Sequence, residues 1–357
     1  MWSKVRNWVK SLGPAAAPQN ASLPEGKQQA DDPSRAADAG ESEGSGNLVE
    51  RMIQQGRFAL LLRPQIVENL DDDQRNRAVE ALEEEMALVP EGNVLLSKTE
   101  FTVDAVEAAE AGPGHLVHVD ALYLDRYPVT NRQFRQFVLA GGYEEPGLWD
   151  PEILPGVLDF VDRTGEPGPL HWLDGNYPEG KDDHPVTGIS WYEASAYASW
   201  VGKRLASDPE WVKAGSWPVP MPGGAPSQRK YPWGDSMDRQ RANLWGSGPG
   251  HPVPVSDYEE GVSVGGVYGL IGNVWEWTTT RFGAWQTGSA PVEPAMPMKS
   301  IRGGSYDTYF DNHATCQFQS GDSPLARKRN IGFRCALGIC DLAPLQELDE
   351  PVVAAEV

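Results

Sequence analysis

The densest collection of side chains with chemical capacity lies in "GGSYDTYFDNHATCQFQ", Gly303 to Gln319. Tyr306, Asp307, Tyr309, Asp311, Asn312, His313, Gln317 and Gln319 offer aromatic area and adaptable hydrogen bonding, the mixture that recognition surfaces use. Trp285, in the loop before it, is expected to flank the stretch. Asp311, His313 and Cys316 also form a mixed oxygen, nitrogen and sulfur set of a kind that binds iron or zinc. Two chemistries are therefore open: recognition by a polar and aromatic loop, or metal-assisted redox chemistry.

Other candidates are sparser. No histidine precedes His115. His115 and His118 stand three apart in an extended run, so they face opposite sides. His171, His184 and His251 each adjoin Trp or Pro in loop-like segments and read as structural. Arg302 in "IRGG" and Arg334 in "IGFR" lie beside glycines, where guanidinium groups bond loop carbonyls or pair with acids such as Glu276.

The elements that must position these groups divide the chain into five segments. In "MWSKVRNWVKSLG", residues 1–13, Trp2, Val5, Trp8, Val9 and Leu12 fall at helical spacing among basic residues. That pattern predicts an amphipathic helix lying on a membrane surface or docked to a protein. Residues 14–47 carry a linker composition without periodicity. Residues 48–89 form a helical lead-in, with Asp71 to Asp73 as N-cap candidates for the second helix. From residue 90 to 340 short apolar runs alternate with Gly, Pro and Asp, and two helices are expected, one capped by Thr130 or Asn131. Residues 341–357 are an acidic tail.

Composition narrows the class. The chain has 357 residues, 40% of them apolar, enough for a buried core. A formal charge of -21 opposes binding to a phosphate backbone, so nucleic acid is not expected as a partner. No run of eighteen apolar residues and no secretory signal pattern is present, which places the chain in the cytoplasm, peripheral to a membrane if the first helix binds lipid. Three cysteines suit reduced thiols rather than a disulfide framework. With 13 Trp, 38 Gly and 30 Pro, the chain reads as a loop-rich α+β domain whose aromatics pin irregular backbone.

From about Ala87 to Leu337 the sequence resembles the formylglycine-generating enzyme, or sulfatase-modifying factor, family. The resemblance rests on seven motifs in the family's order: "LYLDRYPVTNRQFRQF", "HPVTGISWYEASAYASWVGKRLASDPEW", "YPWGD", "RANLW", "GVYGLIGNVWEWT", "IRGGSY" and "NIGFRCAL". It implies that family's variant of the C-type-lectin fold, preceded here by a small helical segment. Fold alone does not fix function.

In catalytic members two cysteines after "GGS" hold Cu(I), a soft ion suited to thiolates. The matching positions here are Thr308 and His313, so no copper is expected. Cys316 and Cys335 match structural cysteines whose disulfide partners, in bonded members, stand where this chain has Ala198 and Ala214. The resemblance further implies calcium ligands at Asn243 and Leu244 in "RANLW" and at Asn273 and Glu276 in "GNVWEW". A second branch, similar to ergothioneine-type sulfoxide synthases, holds iron through histidines partly supplied by an N-terminal bundle, and this chain has none before His115.

The expected function is a non-catalytic binding or scaffold protein that presents residues 306–319 to a protein, small-molecule or glycan ligand. Two alternatives stay open. One is a metal-dependent oxidoreductase with an atypical site at Asp311, His313 and Cys316. The other is a variable protein diversified by a retroelement, because adenine-directed change of Asn codons yields the Tyr, Asp, His, Thr and Ser found in this stretch.

Overall fold

The computed structural model describes residues 41–96, 114–222, 226–285 and 296–344, with side chains from residue 48 onward. The amphipathic segment 1–13, residues 14–40 and the end of the acidic tail lie outside the described residues. The chain divides into two compact units, Met1–Arg51 and Met52–Val357. A helix, α1 (Glu41–Gln54), begins inside the segment read as linker.

The helical pattern over residues 48–62 is broken. Gly56 takes φ +71°, a left-handed conformation that ends α1, and a one-turn helix α2 (Phe58–Leu61) follows, then α3 (Pro64–Val67). Helix α4 (Asp72–Glu85) starts on Asp71, whose carboxylate accepts from the Gln74 amide while the Gln74 side chain accepts from the Asp71 amide. The helix stops at Glu85, and Met86–Val89 is a strand, β1, although Met86 continues the helical stripe of Val79 and Leu82.

β1 belongs to the main body. It pairs antiparallel with β4 (Leu122–Asp125) in a sheet of order β1-β4-β10-β5, where β5 is Arg204–Leu205 and β10 is Cys335–Gly338. A second sheet, β8-β7-β6-β9, joins β6 (Trp275–Arg281) antiparallel to β7 (Lys299–Arg302) and parallel to β9 (Ile331–Phe333), with β8 (Gln319–Asp322) at the edge. β2 (Gly92–Leu96) and β3 (His115–Val119) form a separate two-stranded antiparallel sheet.

Three further helices pack on these sheets. Helix α5 (Asn131–Leu139) is capped by Thr130 with Gln133, and α6 (Trp191–Trp200) by Ser190 with Glu193, each a reciprocal box. Helix α7 (Asp208–Ser216) follows β5. Phe134, Phe137, Tyr197 and Trp200 of α5 and α6 meet Trp277 and Phe333 in one core cluster. Trp211 of α7 meets Val94, Leu124, Leu270 and Ala336 in another. Trp275 and Trp277 lie two apart on β6 and both enter the first cluster, as their spacing predicts. The loop-rich α+β architecture matches the expectation from composition.

Candidate functional site

Strand β7 delivers the chain into the candidate loop through Gly303 and Gly304, at φ +98° and +78°. A Cβ on Gly303 would sit 2.4 Å from the Leu270 carbonyl oxygen, so close passage of the backbone excludes any side chain there. Thr308, at the first copper-matching position, is buried, and its hydroxyl accepts from the Ser305 amide at 2.9 Å. The loop base is thereby closed by a hydroxyl.

Beyond Thr308 the side chains turn outward. Tyr309 and Phe310 are 63% and 58% exposed, and Trp245, from the loop after "RANL", is 55% exposed. Arg239 fixes these pieces together. Its guanidinium donates to the Trp245 carbonyl at 2.6 Å, to the Tyr309 carbonyl at 3.2 Å and to the Asp311 carboxylate at 2.5 Å, and the Trp245 amide donates to the Thr308 carbonyl at 3.3 Å. A chain of ring contacts then runs inward. Tyr309 meets Phe310 at 5.1 Å, Phe310 meets His313 at 5.3 Å, His313 stacks on Phe318 at 4.3 Å, and Phe318 meets Trp275 at 6.1 Å. The exposed rings are anchored to the core through β6.

The residues singled out from sequence separate into two groups. Tyr309, Asp311, Asn312 and His313 lie on or beside this outer face. Tyr306 is half-buried, and Asp307 accepts from the Ser305 hydroxyl and the Asn330 amide. The other three point inward, contrary to expectation. Gln317 donates to the Leu95 carbonyl at 3.0 Å, Gln319 is buried and donates to Asp208 at 2.8 Å, and the Trp285 indole donates to the same carboxylate at 3.1 Å. They brace the loop from beneath, Gln319 buried and Gln317 and Trp285 half-buried. Arg239, Trp245 and Phe310 were missed; Trp245 lay inside a motif read for calcium, and nothing in the sequence links Arg239 to Asp311.

The metal alternative is not assembled. Asp311 is engaged by Arg239, His313 is stacked flat on Phe318, and Cys316 is buried under α7, its sulfur 3.0 Å from where a Cβ on Gly215 would lie. Burial pushes the Cys316 thiol well above its ordinary pKa, away from the thiolate that a metal needs. Among the described residues no group of three or more His, Cys, Asp or Glu side chains is placed to hold a metal ion.

The residues of the calcium set are bonded to protein groups. Both Glu276 oxygens are taken by Arg334 at 2.7 Å, and one also accepts from the Trp211 indole at 2.8 Å. Asn273, left-handed at φ +62°, exchanges side-chain bonds with the Val253 backbone and accepts from the Asn243 amide group. The Leu244 carbonyl accepts from Ser247 and Gly248. Asn243 keeps one buried oxygen without a partner, but Gly248 is packed against it, since a Cβ there would lie 1.8 Å away. These residues knot two loops together.

Of the other histidines, His171 is the most perturbed. Burial first, then the nearby Arg329, Arg163 and Arg327 charges, lower its pKa to about 4, and neither ring nitrogen has a hydrogen-bond partner. His184 contacts Lys181, His251 contacts the Pro252 carbonyl, His118 is held by Asn93 and Asp120, and His115 packs on Trp285.

A family model described as "Sulfatase-modifying factor enzyme 1-like domain" matches residues 72–339. The formylglycine-generating enzyme of Thermomonospora curvata is 30% identical over 311 residues, covering 75% of this chain and 98% of that protein. The hercynine oxygenase of Mycolicibacterium smegmatis is 29% identical over 268 residues, covering 70% of this chain. This chain spans only 60% of the oxygenase's length. Among solved structures, PvdO from Pseudomonas aeruginosa aligns with a TM-score of 0.47 and 22% identity, over 71% of this chain and 94% of that one. The matched region contains every strand and helix from α4 to β10, together with the seven motifs, and the chain belongs to the sulfatase-modifying factor enzyme 1-like family.

Proposed function

We propose that this protein is a non-catalytic recognition module whose face is formed by Trp245, Tyr309 and Phe310, and that its ligand is a protein surface. The single observation that carries this reading is the Arg239 clamp. One guanidinium bonds both loops, so three large aromatics stand exposed on backbone that is already ordered. Pre-ordered aromatic anchors lose little entropy on binding, and Trp, Tyr and Arg are the residue types that dominate interface energetics. At the two positions where the family's oxidases carry cysteines this chain has Thr308 and His313, and those side chains serve the loop's own packing.

The names of the related oxygenase and formylglycine-generating enzyme describe those proteins. Their chemistry is not carried over, because the side chains that would support it here are engaged elsewhere. A cytoplasmic address and attachment through residues 1–13 fit this reading, with the first segment as tether and the aromatic face as reader.

Photocrosslinking from position 310 in the source cells tests the proposal. A discrete adduct that disappears when Arg239→Ala is combined with the probe is the expected result. An adduct pattern matching that of a probe at exposed Leu116, on the separate two-stranded sheet, would sink it.

A further inference from the structure

A cavity of about 420 Å³ opens between the β1–β2 turn and the segment that leaves α7, on a different set of elements from the aromatic face. Its chemical feature is Lys213, which lines the cavity although only 4% of the residue is exposed. Buried cations are ordinarily neutralised by a carboxylate. Elsewhere in this protein they are: Lys203 meets Asp125 at 2.8 Å, Arg302 meets Asp208 at 2.5 Å and Arg334 meets Glu276 at 2.7 Å. Among the described residues Lys213 donates to the Pro90 carbonyl alone, and no carboxylate forms an ion pair with it. An ammonium has three donors, so two remain for whatever enters the cavity.

The walls are suited to an apolar body. Trp217, Pro218, Met221 and Pro226 line one side. Trp217, the residue that ends α7, holds a left-handed backbone at φ +44°, a conformation uncommon for a bulky residue. Its ring lies over Gly265, where a Cβ would be 2.3 Å away. Gly92 lies beside the ammonium, where a Cβ would come within 3.6 Å of Nζ, in van der Waals contact with it. His118, at the rim, is already occupied by Asn93 and Asp120.

We infer that this cavity binds a small organic monocarboxylate, with the carboxylate seated on the Lys213 ammonium and an apolar body against Trp217 and Met221. The volume lies within the range of small-molecule sites, roughly 300–1,000 Å³. One cation next to the exposed Glu91 favours a monoanion over a phosphate dianion, which would draw on several donors and more positive charge. Burial lowers the Lys213 pKa while Glu91 opposes that shift, and a carboxylate seated beside it would favour the charged form.

Isothermal titration and saturation-transfer NMR on the full chain, with phenylacetate, indole-3-acetate and hexanoate as probes, test the inference. At least one probe should bind saturably, with its neutral amide weaker by roughly tenfold or more, and Lys213→Met should reduce carboxylate binding by a similar factor. Lys213→Arg should restore part of it. The amide comparison needs only the wild-type protein, so misfolding of a variant leaves the test intact. The inference is overturned if no probe binds below about 10 mM or if carboxylate and amide bind alike.

Discussion

The three cysteines that the chain possesses divide by burial. Cys316 and Cys335 are fully buried, whereas Cys340 is exposed. For both buried thiols burial is the leading cause of a raised pKa, and the Asp125 carboxylate raises Cys335 further. Disulfide reagents attack through the thiolate, so these two are protected by access and by protonation together. An aromatic disulfide reagent should therefore titrate one thiol per native chain and three in denaturant, with the native signal abolished by Cys340→Ser. Rapid reaction of all three under native conditions would contradict the burial. Free thiols at Cys316 and Cys335 agree with reading three cysteines as reduced thiols rather than a disulfide framework. The inward turn of Gln317, Gln319 and Trp285 was not legible. In an irregular stretch no period fixes which side chains face the core, and all three are stopped by partners more than seventy residues away in sequence.

The element that most determines the loop's position is the N-terminus of α7, because Asp208 ties it to β6, β7 and β8. Its carboxylate accepts from Thr278, Ser300, Arg302, Gln319 and Trp285. Burial alone would raise this carboxyl group's pKa, but the Arg302 charge and the hydroxyl bonds outweigh it and hold the group below its ordinary value. A depressed folded-state pKa means that the stabilisation is present above the unfolded value near 4 and is lost as pH falls through the folded value. Asp208→Asn should cost about 3–5 kcal/mol at neutral pH by leaving Arg302 buried and unpaired. In urea melts the gap between wild type and variant should narrow below about pH 4. A gap that widens in acid would show that another group carries the node. At this scale sequence reading performs unevenly. The caps of α4 and α5 fall among the candidates Asp71 to Asp73 and Thr130 or Asn131, because a capping box is a local device, whereas Ser190, which caps α6, was not singled out. The pairing of Arg302 with Asp208 is set by the register of separate strands, and no local signal announces it.

For the molecule as a whole, the boundary between lead-in and main domain decides what can fold. Composition changes at Pro90, which suggests a domain beginning there, whereas the sheet begins four residues earlier. β1 supplies four registered pairs to β4, from Met86 with Asp125 to Val89 with Leu122, and Met86 and Val89 are both buried. Sequence reading missed this because Leu82 and Met86 sit at helical spacing, so β1 looks like one more helical turn; only its long-range partner reveals a strand. Burying a side chain of this size contributes about 1.5–3 kcal/mol, so Met86 and Val89 together contribute about 3–6 kcal/mol, before the four lost strand pairs are counted. That is comparable with the whole stability of a typical domain, about 5–15 kcal/mol. It also leaves β4 as an open edge, a template for aggregation. A chain starting at Met52, the first residue of the second compact unit, should retain a cooperative thermal transition and native near-ultraviolet circular dichroism. A chain starting at Pro90 should lose both and aggregate. If the shorter chain instead melted cooperatively within a few degrees of the longer one, β1 would be an accessory strand, and the aromatic face and the Lys213 cavity would rest on a smaller core than the sheet order implies.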